Sequence, residues 1–147
     1  MPKKTANGKY TYNKVYYDKP LYKWISEVHI HLSLLYGWNY YRLKPGAYGY
    51  DNLAHSLSWV FIKCDGSEDL DTIADFIHRG WVVNYLYWKK NEPWKTNKEY
   101  IKPANELGDK RRDNCAKTLY INLPDDEKKK NIDIAKYIIK NIEKKSK

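Results

Sequence analysis

The chain is poor in the residues that would staple it, span a membrane or read a nucleic acid. Its two cysteines, Cys64 and Cys115, belong to no CxxC pair. A disulfide scaffold and a cysteine-rich zinc site are therefore excluded, and two free thiols imply a reducing, cytoplasmic setting. Glycine (7) and proline (6) are scarce among 147 residues, whereas aromatic residues reach 16%. Such a chain has the means to build a core, which excludes disorder for most of it. No apolar run approaches the roughly 18 residues of a membrane span. The basic N-terminus lacks the apolar region of a signal peptide, and its Met-Pro start is not a myristoylation signal.

Arginine is scarce too. Arg42, Arg79, Arg111 and Arg112 are the only four among 27 basic residues. Base-edge and bidentate phosphate recognition favour arginine, so the net charge of +9 is weaker evidence for nucleic acid than it looks. Its location matters more. Residues 1–23 carry +5 and residues 124–147 carry +3, which leaves +1 for the hundred residues between. Sequence-independent nucleic-acid binding through lysine-rich ends is thus one functional alternative. Lysine in place of arginine, with abundant Asn, Ile and Tyr, also fits an AT-rich coding sequence of the kind found in viruses, phages and low-GC bacteria. A structural or virion-associated interaction protein is accordingly a second alternative.

What is present is helical periodicity. Within residues 67–94, Leu70, Ile73, Ala74, Ile77, Trp81 and Leu86 recur near a 3.6-residue period. Ser67 or Asp69 can cap this helix, and Glu68, Asp69 and Asp71 suit its positive N-terminal end. Ile73, Ile77 and Leu86 are expected to be buried. Earlier in the chain, Asp18 and Pro20 open a helix striped by Leu21, Trp24, Ile25, Val28, Leu32 and Leu35, with Gly37 at its end. Asp51 or Asn52 is expected to cap a helix carrying Leu53, Ala54, Leu57, Val60 and Phe61. A last helix follows Leu123-Pro124 and presents Ile134, Ala135, Ile138, Ile139 and Ile142. The pattern predicts helices near 20–36, 51–62, 69–89, 109–119 and 125–143. The fold class is mainly α: one compact domain over residues 10–143, with a short extended segment at residues 10–17. Basic tails occupy residues 1–9 and 144–147. Trp38–Leu43 reads as aromatic and extended, followed by a Pro45-Gly46 turn.

Ile73-Ala74, Ile77-His78 and Trp81 resemble the "LA..vH..W" helix of the ryanodine-receptor (RyR) repeat domain. Trp88, then Ile101-Lys102-Pro103, then Leu107 and Lys110–Asp113 follow in that family's order, so the resemblance covers residues 70–120. The family's "GWxyG" turn is missing here and the loop is shorter. A second register places Leu123-Pro124 to Ala135 on the family's final segment. The resemblance implies a small helical unit that binds or docks without catalysis, with nucleotide-like ligands for its microbial versions.

Several side chains are candidates for a site. His78 and Trp81 are i and i+3, hence on one helix face; the simpler alternative is a histidine bonded to a carbonyl beside a core tryptophan. Tyr85, Trp88 and Trp94 extend the aromatic surface, either as pocket wall or as core. Lys110-Arg111-Arg112, with Arg79 and Lys102, is the one internal basic cluster; it can clamp a phosphate at a helix start or simply pair with Asp109 and Asp113. Tyr40, Tyr41, Tyr48 and Tyr50 form a second aromatic group able to stack on a base. No metal site is expected, because His29 and His31 diverge on a helix and neither HExxH nor CxxC occurs. Residues 65–76 space their oxygens like a calcium loop, but Leu70 and Phe76 stand where that loop needs Gly and Glu. No nucleophile–base pair is legible; His55 beside Ser56 and Ser58 is only a sequence neighbourhood. The expectation is a non-enzymatic module without cofactor or membrane contact, holding a small phosphate-bearing ligand such as a nucleotide. Its site residues are His78, Arg79, Trp81, Tyr85, Trp88, Trp94, Lys102, Arg111 and Arg112.

Overall fold

A computed structural model describes residues 19–37, 46–64, 68–104 and 107–145, without the side chains of 19–24, 61–63 and 141–145. The expected extended segment at residues 10–17, the tails at 1–9 and 146–147, and the aromatic stretch with Tyr40 and Tyr41 lie outside the described residues. Within them the protein is a single helical domain without strands. Its helices are α1 (Lys19–Tyr36), α2 (Tyr48–Lys63), α3 (Leu70–Asn91), α4 (Lys110–Ala116) and α5 (Asp125–Lys145). Single 3₁₀ turns at Pro93–Lys95 and Tyr120–Asn122 bracket the α3–α4–α5 connections. None of the described helices is long and apolar enough to cross a membrane.

α3 is the axle of the domain. It packs most extensively on α2, then on α5, while α1 closes over α2 and α5. Its start is fixed locally: the Asp69 carboxylate accepts the Thr72 N–H at 2.8 Å, one of the two caps expected. Its end is set by Glu92, which takes a left-handed φ of 46°, and by Pro93, which cannot continue a helix.

Midway along α3, Gly80 lets the two central helices touch. A Cβ there would lie 2.5 Å from the His55 carbonyl oxygen and 2.6 Å from the Ser56 Cα, both backbone atoms of α2. Glycine inside a helix costs about 1 kcal/mol relative to alanine, and this close approach is what offsets it. Gly46 is the other position where only glycine fits. It has φ 93°, its carbonyl accepts the Ile101 N–H at 3.0 Å, and a Cβ would collide with the Glu99 backbone.

The main core joins Ile25, Val28 and Leu32 of α1 to Leu53, Ala54, Leu57 and Val60 of α2. Ile73, Ala74 and Ile77 of α3 and Ile134, Ala135 and Ile138 of α5 complete it. These are the helical stripes of the sequence, with two corrections. Leu86 is 49% exposed rather than buried. The face of α3 continues from Ile77 through Gly80, Trp81, Asn84 and Tyr85 to Trp88, and Leu86 lies off it. A small and a polar residue stand on the buried stripe, where hydrophobicity does not reveal them. Leu35 is likewise 49% exposed, because it lies off the face of α1 that Val28 and Leu32 turn inward.

Boundaries also moved: α3 runs to Asn91 rather than 89, and α5 to Lys145 rather than 143, into the expected 144–147 tail. α2 begins at Tyr48, with Ala47 at the cap position and no side-chain cap bond. Asp51 is instead buried in the first turn, where its carboxylate accepts the Trp88 indole N–H at 3.2 Å. A tertiary partner has replaced the local one. α4 stops at Ala116, short of residue 119, since the Thr118 carbonyl is turned inward to His78.

Candidate functional site

Five helices surround a cavity of about 440 Å³. Leu32, Leu53, Ile77 and Ile134 give it a buried apolar lining, with Leu123 and Cys115 beside them. Its polar and aromatic lining comes from every helix: His29 from α1, Tyr48 and Asn52 from α2, His78 and Trp81 from α3. α4 adds Arg111 and Arg112, and α5 adds Glu127, Lys130 and Asn131. An apolar cavity of a few hundred Å³ with a small number of convergent polar groups is the usual form of a small-molecule site.

The aromatic wall is built on one helix face. His78 and Trp81 stack with centroids 6.0 Å apart and planes 12° from parallel, and Trp81 stacks on Tyr85 at 5.0 Å. The His78 Nε2 donates to the Thr118 carbonyl at 2.8 Å, which ties α3 to the segment after α4. Burial holds the His78 pKa below the ordinary histidine value, and the same cause lowers that of His29. Both imidazoles are therefore neutral at pH 7. Opposite them, the Asn52 amide donates to the Tyr48 hydroxyl at 3.2 Å.

The charged side centres on Glu127. Arg111 Nη1 donates to its Oε1 at 2.6 Å, and Lys130 Nζ lies 3.4 Å from both carboxylate oxygens. The Arg112 guanidinium pairs with Asp109, whose other carboxylate oxygen accepts the Arg112 backbone N–H at 2.6 Å and caps α4. Three cations and one carboxylate thus line the cavity, a net positive balance that favours an anion. The Cys115 thiol has its pKa raised by burial, then by Glu127, which disfavours the nucleophilic thiolate. Among the described residues no group of three or more His, Cys, Asp or Glu is arranged to hold a metal ion.

Of the nine residues predicted for a site, the cavity gathers His78, Trp81, Arg111 and Arg112. The other five do not line it. Trp88 is completely buried and Trp94 stacks on it at 5.8 Å, with Tyr48 and Tyr100 edge-on to Trp88 at 5.6 and 5.5 Å. Tyr85 is also fully buried; its hydroxyl donates to Asp113 at 2.6 Å and accepts the Gly108 N–H at 2.9 Å. Tyr85 and Trp88 are core, and Trp94 is a partly buried ring packed against them. Arg79 is exposed, paired with Asp75 one turn back and lying over the Phe76 ring. Lys102 is exposed on the loop before α4.

The chain matches no family model, no curated protein and no solved structure.

The cavity also contains residues that the sequence reading passed over: His29, Asn52, Glu127, Lys130 and Asn131. Glu127 and Lys130 did carry a signal, an i, i+3 acid–base pair in the first turns of a helix, but that pattern usually marks a solvated face. Nothing local marks His29, Asn52 or Asn131.

Proposed function

We propose that the protein is a non-enzymatic binding module that holds a small phosphate-bearing ligand, such as a nucleotide, between its five helices. One observation carries the reading: a single cavity brings Arg111, Arg112 and Lys130 together with the rings of Trp81 and Tyr48 over an apolar lining. Cations match phosphoryl oxygens through charge-assisted hydrogen bonds, and aromatic faces accept a base by stacking. A binder rather than a catalyst is favoured because the titratable groups are already committed. His78 is held by a carbonyl, and the buried Cys115 stays a thiol. The resemblance of residues 70–120 to the RyR repeat points the same way, since it implies a binding or docking unit.

The test is a thermal-shift screen against mononucleotides, cyclic nucleotides and ADP-ribose derivatives, because a ligand of the folded state raises its melting temperature. The Arg111→Ala/Arg112→Ala variant also removes the ion pairs to Glu127 and Asp109, so its shift is read against its own ligand-free melting temperature. It should lose about 1.5–3 kcal/mol of binding for each well-made contact removed. If no nucleotide shifts the native protein, the reading falls.

The nucleic-acid alternative rests on a different observation, the concentration of net charge at the ends, +8 of +9 in residues 1–23 and 124–147. Removing residues 1–9 and 144–147 should then weaken DNA or RNA affinity and flatten its salt dependence. Equal binding by the trimmed protein would place the nucleic-acid contact inside the domain.

A further inference from the structure

The sequence pairs Arg111 with Arg112 as a phosphate clamp, but the structure pairs Arg111 with Lys130. Arg111 on α4 and Lys130 on α5 reach the same carboxylate, that of Glu127, and Oε1 is shared between them at 2.6 and 3.4 Å. Arg112 is turned to Asp109 and to capping α4. The Glu127 side chain is only 12% exposed, against 50% for Arg111 and 36% for Lys130. The carboxylate is thus the least exposed of the three charged groups, all of which line the cavity.

We propose that the Glu127 carboxylate occupies the phosphoryl position of the cavity, so that a ligand binds by exchanging its phosphoryl group for Glu127 on Arg111 and Lys130. This deepens the ligand-binding reading and rests on it. The chemistry of the exchange is balanced in kind: one oxyanion replaces another on the same two donors. A phosphoryl group brings more acceptor oxygens and more charge than a carboxylate, so it satisfies both cations better. Glu127 has somewhere to go. It lies in the first turn of α5 beside the exposed Asp125 and Asp126, and its side chain can swing toward solvent without breaking a helical bond. Asn131, one turn along, already ties its amide to the Glu127 backbone carbonyl at 3.2 Å, which holds the helix while the side chain moves.

The consequence is selectivity. An internal carboxylate competes with weak monoanions and leaves the site to ligands that bring more negative charge, which makes Glu127 a specificity-determining residue rather than a plain interhelical ion pair. If Glu127 instead only positioned Arg111, neutralising it would loosen Arg111 and weaken binding.

The experiment measures calorimetric affinity for inorganic phosphate and adenosine monophosphate in the native protein, Glu127→Gln and Lys130→Met. Glu127→Gln keeps the side-chain shape and a hydrogen-bonding oxygen while removing the competing charge. It should tighten binding of both probes about tenfold, one decade being about the worth of a charged hydrogen bond. Added acetate should weaken phosphate binding to Glu127→Ala, because the emptied position again accepts a carboxylate. Lys130→Met should weaken both probes by a similar factor. Glu127→Ala serves as a second variant, with circular dichroism to confirm that each protein is folded. Equal or weaker binding by a folded Glu127→Gln, with the native protein binding normally, overturns this proposal and leaves the ligand-binding reading standing. If neither the native protein nor any variant binds, the ligand-binding reading itself fails and takes the exchange with it.

Discussion

Two aromatic pairs on α3, one turn apart, do opposite things. The first, His78 and Trp81, forms a wall of the cavity. The second, Tyr85 and Trp88, is sealed. What differs is their surroundings. Trp88 has rings on several sides, and its indole N–H is taken by the buried Asp51. The Tyr85 hydroxyl is used twice, toward Asp113 and from Gly108, and Lys89 holds Asp113 from the other side at 2.6 Å. Burial and the Asp113 bond push the Tyr85 pKa up to about 12, as expected of a phenol locked onto a carboxylate. Around His78 and Trp81 the neighbours are three cations, amides and a carboxylate grouped about open space. Aromatic density alone does not distinguish a pocket from a core; the partners of the polar atoms do.

Substitution should break the two pairs differently. The largest effect is expected at Trp88→Ala, which removes a fully buried indole and leaves the Asp51 carboxylate buried without that donor. A loss of about 3–5 kcal/mol follows from large-to-small substitution in a core. Trp81→Ala, on the partly open wall, should cost within the ordinary range of about 0.5–3 kcal/mol and act mainly on ligand affinity. Chemical denaturation of both variants checks the contrast, and equal losses would mean that Trp81 is core as well.

Gly80 lies within the first pair, between His78 and Trp81. Gly80→Ala should destabilise by about 1–3 kcal/mol, the usual cost of overpacking, although alanine is the better helix former. The same denaturation series applies. A neutral or stabilising result would show that α2 and α3 separate without penalty.

A smaller effect sharpens the comparison through pH. The pKa of His78 is lowered in the folded protein, so the unfolded chain binds its proton first. Stability attributable to His78 is therefore fully present above the unfolded value of about 6.5 and declines as pH falls from there toward the folded value. Melting temperatures between about pH 7.5 and pH 5 should fall, and the slope should be shallower in His78→Gln, which can still donate to Thr118. His29 contributes in the same direction from the other side of the cavity, so the slope should flatten without vanishing. An unchanged slope in His78→Gln would assign the effect elsewhere.

Much of the fold was legible in the sequence because apolar spacing is a local property. The inward faces of α1, α2 and α5 follow from Ile25 to Leu32, Leu53 to Val60, and Ile134 to Ile138. Asp69 could be named as a cap because a cap bonds its own helix, three residues away. Asp51 could not be placed by the same logic, since its carboxylate serves Trp88, far along the chain. Leu86 was misplaced because Gly80 and Asn84 are buried for reasons that hydrophobicity does not encode: a helix crossing in one case, and position on the packed face in the other.

The candidate site divides along the same line. His78 and Trp81 were recognisable as a pair because a helix places i and i+3 on one face, and Arg111 because it belongs to the one internal basic cluster. By itself, then, the sequence determined the helices, most of their inward faces, Asp69 as one of two cap candidates and the location of net charge at the ends. Only the tertiary structure decided which aromatic residues are core, that five helices leave a cavity between them, and that Glu127 and Lys130 of α5 meet Arg111 of α4 inside it. Hydrogen bonds within a helix and its stripe of apolar side chains depend on near neighbours in sequence. A cavity is defined by what distant segments leave between them, and an ion pair across helices by where packing brings their ends together.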